Sequence, residues 1–153
     1  MQLSQKESSL LKELKEQEKL CAERYDKHAQ QAHDHQLRQL FSQLADTERG
    51  HLDTLTQIEN GMPPQASAQV PQAQQDNFSQ TYTSDTQEKQ DDCYLCSDLL
   101  GAEKFASGLY NTSVFEFRDN NLRQLLSHIQ AEEQQHGKRI YDYMSANGMY
   151  QAS

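Results

Sequence analysis

Residues 122–143 read "LRQLLSHIQAEEQQHGKRIYDY", and this stretch decides the fold. Leu122, Leu126, Ile129, Glu133, His136, Ile140 and Tyr143 recur at alternating steps of four and three, which places them on one face of a helix. The face is apolar at both ends and carries a carboxylate and an imidazole in its middle. Residues 37–58 do the same through Leu37, Phe41, Leu44, Glu48, His51, Leu55 and Ile58. Two seams of one spacing, interrupted by the same pair of residues, call for one explanation.

Two further helices fit around them. In the first, Ser4 and Glu7 predict a capping box with Leu3 as its staple, and Leu11, Leu14, Glu18, Cys21 and Tyr25 form the seam. In the third, the seam runs through Leu99, Glu103, Ala106, Tyr110 and Phe117, and Ser84 with Gln87 predicts the cap. Expected bounds are about 4–32, 35–59, 85–118 and 120–146. Asp34 is the N-cap of the second helix, which ends at "NGMPP", a glycine cap followed by prolines. No alternating strand pattern is present, so the chain predicts as all-α, a four-helix bundle of two antiparallel hairpins forming one domain over 1–153. The polar segment 60–84 is too long for a simple turn. A helix of ~24 residues is ~36 Å long, so this segment reads as a crossover returning the chain to the other end of the bundle.

Composition narrows the function. A net charge of −9 argues against nucleic acid as partner and against an anionic membrane surface. "MQLSQKESSL" has no apolar run, so no signal peptide and no membrane insertion are expected, and synthesis in the cytoplasm follows. Three cysteines do not make a disulfide framework. The glutamine-rich tract "QVPQAQQ" predicts a hydrated surface and names no function.

Each helix puts one glutamate into the bundle interior, and two add a histidine. The halves repeat: Glu18, Tyr25, Glu48 and His51 map onto Glu103, Tyr110, Glu133 and His136 with a constant offset of 85. An unpaired buried carboxylate is costly and escapes by taking a proton. Two divalent cations would neutralise four carboxylates, and carboxylate with imidazole suits iron or manganese, with zinc a further candidate. Glu and His three apart on a helix can reach one metal pair, while Tyr25 and Tyr110 are placed to hydrogen-bond ligating carboxylates. The alternative is a protonated, hydrogen-bonded Glu/His network in the core.

"LKEQEKLCAERY", "LLGAEKFASGLYNTSVFEFRDNNLRQLL" and "EEQQHGKRIYDYMSANGMY" resemble the ferritin-like superfamily, and more closely the bacterial spore coat protein F (Coat F) family. The likeness spans both hairpins and leaves the linker unmatched. It implies a ferritin-like fold and a di-metal centre with Glu18, Glu48, His51, Glu103, Glu133 and His136 as ligands, Glu48 and Glu133 bridging. It also implies a role in the spore coat or its assembly, with other coat proteins or further copies of the chain as partners. The alternative function is a di-iron or di-manganese oxidoreductase acting on peroxide or dioxygen.

Other residues are read more simply. Gly50, Gly101, Gly108 and Gly137 are expected to mark close helix approach, with a widened pocket as the second reading. Cys93 and Cys96 form a CxxC read as two reduced thiols, and Cys21 packs as a small hydrophobe. His28, His33, His35 and His128 fall outside the repeat and are expected at surfaces or in loops. Glu132 is expected on the helix flank.

Overall fold

Ser4 accepts a hydrogen bond from the Glu7 N–H at 3.0 Å, and the Glu7 carboxylate accepts from the Ser4 N–H at 2.8 Å, closing the capping box that starts the first helix. The protein was analysed as a computed structural model that describes residues 2–150. It contains α1 (Gln5–Gln31), α2 (His35–Glu59), α3 (Gln87–Glu116) and α4 (Asn120–Ala146), with no strand among the described residues. The chain is an all-α four-helix bundle. Asp34 and Asp119 cap α2 and α4, accepting from the N–H groups of Gln36 and Leu122. Gly61, at φ +75°, ends α2 in the left-handed conformation that a residue with a Cβ rarely adopts.

The start of α3 differs from expectation. Thr86, rather than Ser84, is the N-cap, accepting from the Lys89 N–H at 3.2 Å. The Ser84 carbonyl instead accepts from the Thr86 N–H, so Ser84 belongs to a turn that precedes the helix. The third residue of the helix is then a lysine, and no reciprocal box can form.

The helix order is α1 up, α2 down, α3 down, α4 up. Segment 60–86 carries the chain back along the α2–α4 side. Asn121 at the foot of α4 binds Pro64 O and the Ala66 N–H. Midway, Gln135 donates to Pro71 O, and buried Arg139 grips Asp76 at 2.8 and 3.0 Å. At the top, Asn147 accepts from the N–H groups of Thr81 and Tyr82, and Tyr82 donates to Asp92. Every third of the crossover is therefore tied to the bundle.

The repeat extends to the ends of the bundle. Glu7 accepts from the Arg118 N–H between α3 and α4, while Asp92, 85 residues on, accepts from the His33 and Asp34 N–H groups between α1 and α2. Arg38 and Arg123, also 85 apart, each reach back to the carbonyls ending the preceding helix. Two apolar clusters fill the bundle, one around Leu37, Phe41 and Leu99, the other around Leu11, Leu55 and Leu126. The charged layer lies between them.

Burial works against ionisation of Glu7, but bonds from Ser4 and Arg118 prevail and hold its pKa at about 2. The folded value is below the unfolded one, so the stabilisation is present above about pH 4.5 and is lost as pH falls toward 2. Glu7→Gln should cost about 2 kcal/mol at neutral pH. That cost should shrink below pH 4.5, and urea denaturation across the acid range measures it.

Candidate metal centre

The seams of α2 and α4 face each other, and the middles of α1 and α3 close the other two sides. Glu18, Glu48 and Glu133 are at most 1 % exposed, and Glu103, His51 and His136 are also buried. The structure brings all six into one layer. His51 Nδ1 lies 2.8 Å from Glu133 Oε1, 3.7 Å from Glu18 Oε2 and 3.8 Å from Glu48 Oε2. His136 Nδ1 repeats the pattern at 2.8 Å from Glu48 Oε1, 3.5 Å from Glu103 Oε1 and 3.8 Å from Glu133 Oε2. The two rings stack with centroids 5.9 Å apart and planes at 15°.

The tyrosines are paired across the bundle. Tyr25 donates to Glu103 Oε1 at 2.7 Å, and Tyr110 donates to Glu18 Oε1 at 2.5 Å. Each therefore serves the glutamate of the opposite hairpin, not the one seven residues away on its own helix. The hydroxyl fixes one oxygen of each carboxylate and leaves the other facing the centre.

Short as the His–Glu approaches are, they lack hydrogen-bond geometry. Glu18 Oε2, Glu103 Oε2, both oxygens of Glu48 and Glu133, and Nδ1 of His51 and His136 are buried without a hydrogen-bond partner. Buried polar atoms are ordinarily paired. These eight converge instead on two places. Ligand atoms of Glu18, Glu48, His51 and Glu133 lie within 4.8 Å of one another, as do those of Glu48, Glu103, Glu133 and His136. Glu48 and Glu133 belong to both groups. Carboxylate oxygens with one imidazole nitrogen per group are a donor set for a divalent cation.

Without a cation, the layer divides its charge. Burial first, then neighbouring acids, pushes Glu48 and Glu133 well above the usual carboxylate range. Burial also opposes ionisation of Glu18 and Glu103. Their contacts outweigh it, from Glu48, His51 and Tyr110 for Glu18, and from Glu133, His136 and Tyr25 for Glu103. Glu18 is held at about 2, and Glu103 is also lowered. Burial favours neutral His51, but the surrounding carboxylates, Glu132 and Glu133 foremost, raise its pKa. The shared glutamates are thus shifted toward the protonated form and the outer pair toward the ionised form.

Glu132 sits on the flank of α4 and makes contacts that the spacing does not show. It is half-buried, and its Oε1 lies 3.3 Å from His51 Nε2 and 3.4 Å from His128 Nε2. It orients the outer nitrogen of His51 while Nδ1 faces the centre. The one sequence signal for it was His128, four residues earlier. His28 binds Asp98 and His33 binds Asp91, while His35 is exposed. Cys21 is buried beside the layer, where desolvation and the four carboxylates keep its thiol protonated. Cys96 is buried in the upper cluster, Cys93 is half-buried with Sγ near Met149 O, and all three cysteines are free.

Close helix approach does not explain the glycines. A Cβ would meet nothing within 4 Å at Gly50, Gly101 or Gly108, and at Gly137 the nearest atom is Leu100 Cδ2 at 3.8 Å. Gly137 instead borders a cavity of about 490 Å³ between α3 and α4 that reaches Glu103 and Glu133. Gly50 borders another of about 410 Å³, between α2 and α4, that reaches His51 and Glu132.

Fold and site together define a four-helix bundle with a buried, duplicated carboxylate–histidine layer. The Coat F domain family matches residues 91–153, which contain most of α3, all of α4 and half of the layer. The match is narrower than the resemblance across both hairpins implied. No curated protein and no solved structure matches the chain. No helix among the described residues is long and apolar enough to cross a membrane.

Replacing both shared carboxyls with apolar side chains distinguishes a metal cradle from a hydrogen-bonded network. With chelator present, Glu48→Leu/Glu133→Leu should gain about 1–4 kcal/mol in urea denaturation. A loss of stability would instead identify the carboxyls as part of a structural network.

Proposed function

We propose that this protein holds two divalent metal ions, iron or manganese, bridged by Glu48 and Glu133. Glu18 and His51 complete one position, and Glu103 and His136 the other. Its role is structural, in the spore coat or in coat assembly, with other coat proteins or copies of itself as partners. The observation that carries the metal reading is the set of eight buried, unpartnered oxygen and nitrogen atoms converging in two groups. The Coat F match over residues 91–153 supports the coat role. Zinc fits the same donors, but an oxygen-rich set favours iron or manganese.

Charge balance supports two ions. Four carboxylates against two divalent cations leave a neutral layer, whereas without cations burial and the neighbouring acids favour protonated Glu48 and Glu133. Metal binding therefore displaces protons, and affinity should weaken as pH falls.

Oxidoreductase chemistry on peroxide or dioxygen is the second reading, favoured by the α3–α4 cavity that meets Glu103 and Glu133. Leu52 stands 85 residues before Gly137, so the repeat has a large side chain at one copy of this position and none at the other. When bound, the metal pair would bind and polarise peroxide or dioxygen and pass on two electrons per O–O bond from an external reductant. The chain's own contribution is plain. Gly137 leaves the approach open, and Tyr25 orients Glu103 through its hydrogen bond.

Elemental analysis of protein purified without chelator should find close to two iron or manganese ions per chain. Glu48→Ala/Glu133→Ala should remove them, and a metal-free wild type after anaerobic reconstitution would overturn the reading. Gly137→Leu should retain metal yet slow peroxide decay by tenfold or more if the loaded protein is an oxidoreductase. Peroxide decay no faster than that of a Glu133→Ala blank would leave the structural role.

A further inference from the structure

α3 is apolar on two opposite faces. One packs into the bundle through Leu95, Leu99, Ala102, Ala106 and Tyr110. The other faces outward and carries Tyr94, Phe105 and Phe115, which are 71 %, 59 % and 74 % exposed. Ser97, Lys104, Asn111 and Thr112 are exposed among them, and large exposed apolar side chains gathered on one face mark an interaction surface. Gly101 and Gly108 lie on the same outer stripe, and nothing within the chain comes near their Cβ positions. Each glycine costs a helix interior roughly 1 kcal/mol relative to alanine, and no contact inside this molecule offsets it.

The stripe is also symmetric. Tyr94, Gly101, Gly108 and Phe115 recur every seven residues, and their midpoint falls between Lys104 and Phe105. We propose that the outer face of α3 is where two copies of this chain pair, helix against antiparallel helix, about a twofold axis through that midpoint. A self-pairing interface makes use of such a palindrome, because each patch must meet itself reversed. Tyr94 then opposes Phe115 of the second copy, and Gly101 opposes Gly108, where the backbones can approach closely. Phe105, on one flank of the stripe, meets Phe105 of the second copy beside the axis.

Charge selects the same occupant. The chain carries −9, so a second copy is repelled except where acids are absent. Among the described residues exposed on α3 from Tyr94 to Phe115, the one charge is that of Lys104, while half-buried Asp98 is bound to His28 at 2.8 Å. Area sets the extent. A strip ~32 Å long and ~10–12 Å wide provides about half of the ~800 Å² per partner of a standard interface. The flank of α1 around Leu20, where exposed Glu16 and Glu23 stand with Lys27, must therefore join it. There, a groove of about 410 Å³ between Leu20 and Gly101 gives a second copy's aromatic ring a place to insert. This inference does not depend on the metal centre or on whether it reacts.

Sedimentation equilibrium at micromolar concentration tests it. The wild type should be a dimer, and Phe105→Glu should halve the mass while leaving helical circular dichroism and metal content unchanged. Register is tested by cross-linking in a Cys93→Ser background. Gly101→Cys/Gly108→Cys should form a disulfide-linked dimer on mild oxidation, and neither single variant should. The two positions are ~10 Å apart along one helix, too far to bond within a chain. A monomeric wild type, a dimer indifferent to Phe105→Glu, or cross-linking by either single variant overturns the proposal.

Discussion

Four carboxylates in the dry middle of a helical bundle are the constraint on which the rest of the structure depends. Ionised together, Glu18, Glu48, Glu103 and Glu133 would repel one another where water cannot screen them. The chain answers with two histidines stacked between them, two tyrosines that fix the outer glutamates, and a shared pair shifted toward protonation. Even so, eight buried polar atoms remain unpartnered. Stability is therefore concentrated elsewhere, in the apolar clusters above and below the layer and in the caps at both ends.

Duplication organises that answer. Glutamate, tyrosine and histidine of each half act on their counterparts in the other, so neither hairpin completes the layer by itself. The same reciprocity ties the ends, where Glu7 and Asp92 each bind the turn of the opposite hairpin. The halves differ where the layer meets the surface. Leu52 corresponds to Gly137 and Thr47 to Glu132, and the crossover lies along the α2–α4 side. A nearly symmetric interior thus has unlike surroundings, with one cavity reaching Glu103 and Glu133 and another reaching His51 and Glu132.

Much of this was legible before the coordinates. The 4,3 seams, the box at Ser4, the cap at Asp34 and the end of α2 at Gly61 are local features, and local chemistry reads them reliably. The start of α3 was misjudged because Ser84 and Thr86 are both competent caps, and the turn bonded to the Ser84 carbonyl decides between them. The glycines admit two readings, close approach and open pocket, for a related reason. A glycine in a helix says that a side chain is missing, and only the neighbouring elements reveal whether another helix or open space lies beyond it.

The sequence by itself determined the helices, their inward faces and the six residues placed on them, because 3.6-residue periodicity converts spacing directly into a shared face. Tertiary structure alone decided which residues meet. It crossed the tyrosine–glutamate pairs between hairpins, brought Glu132 to His51, and made Glu48 and Glu133 the members common to both groups. Such contacts depend on how four helices are set against one another. That arrangement comes from caps, crossover bonds and packing across the whole chain, and no single helix contains it.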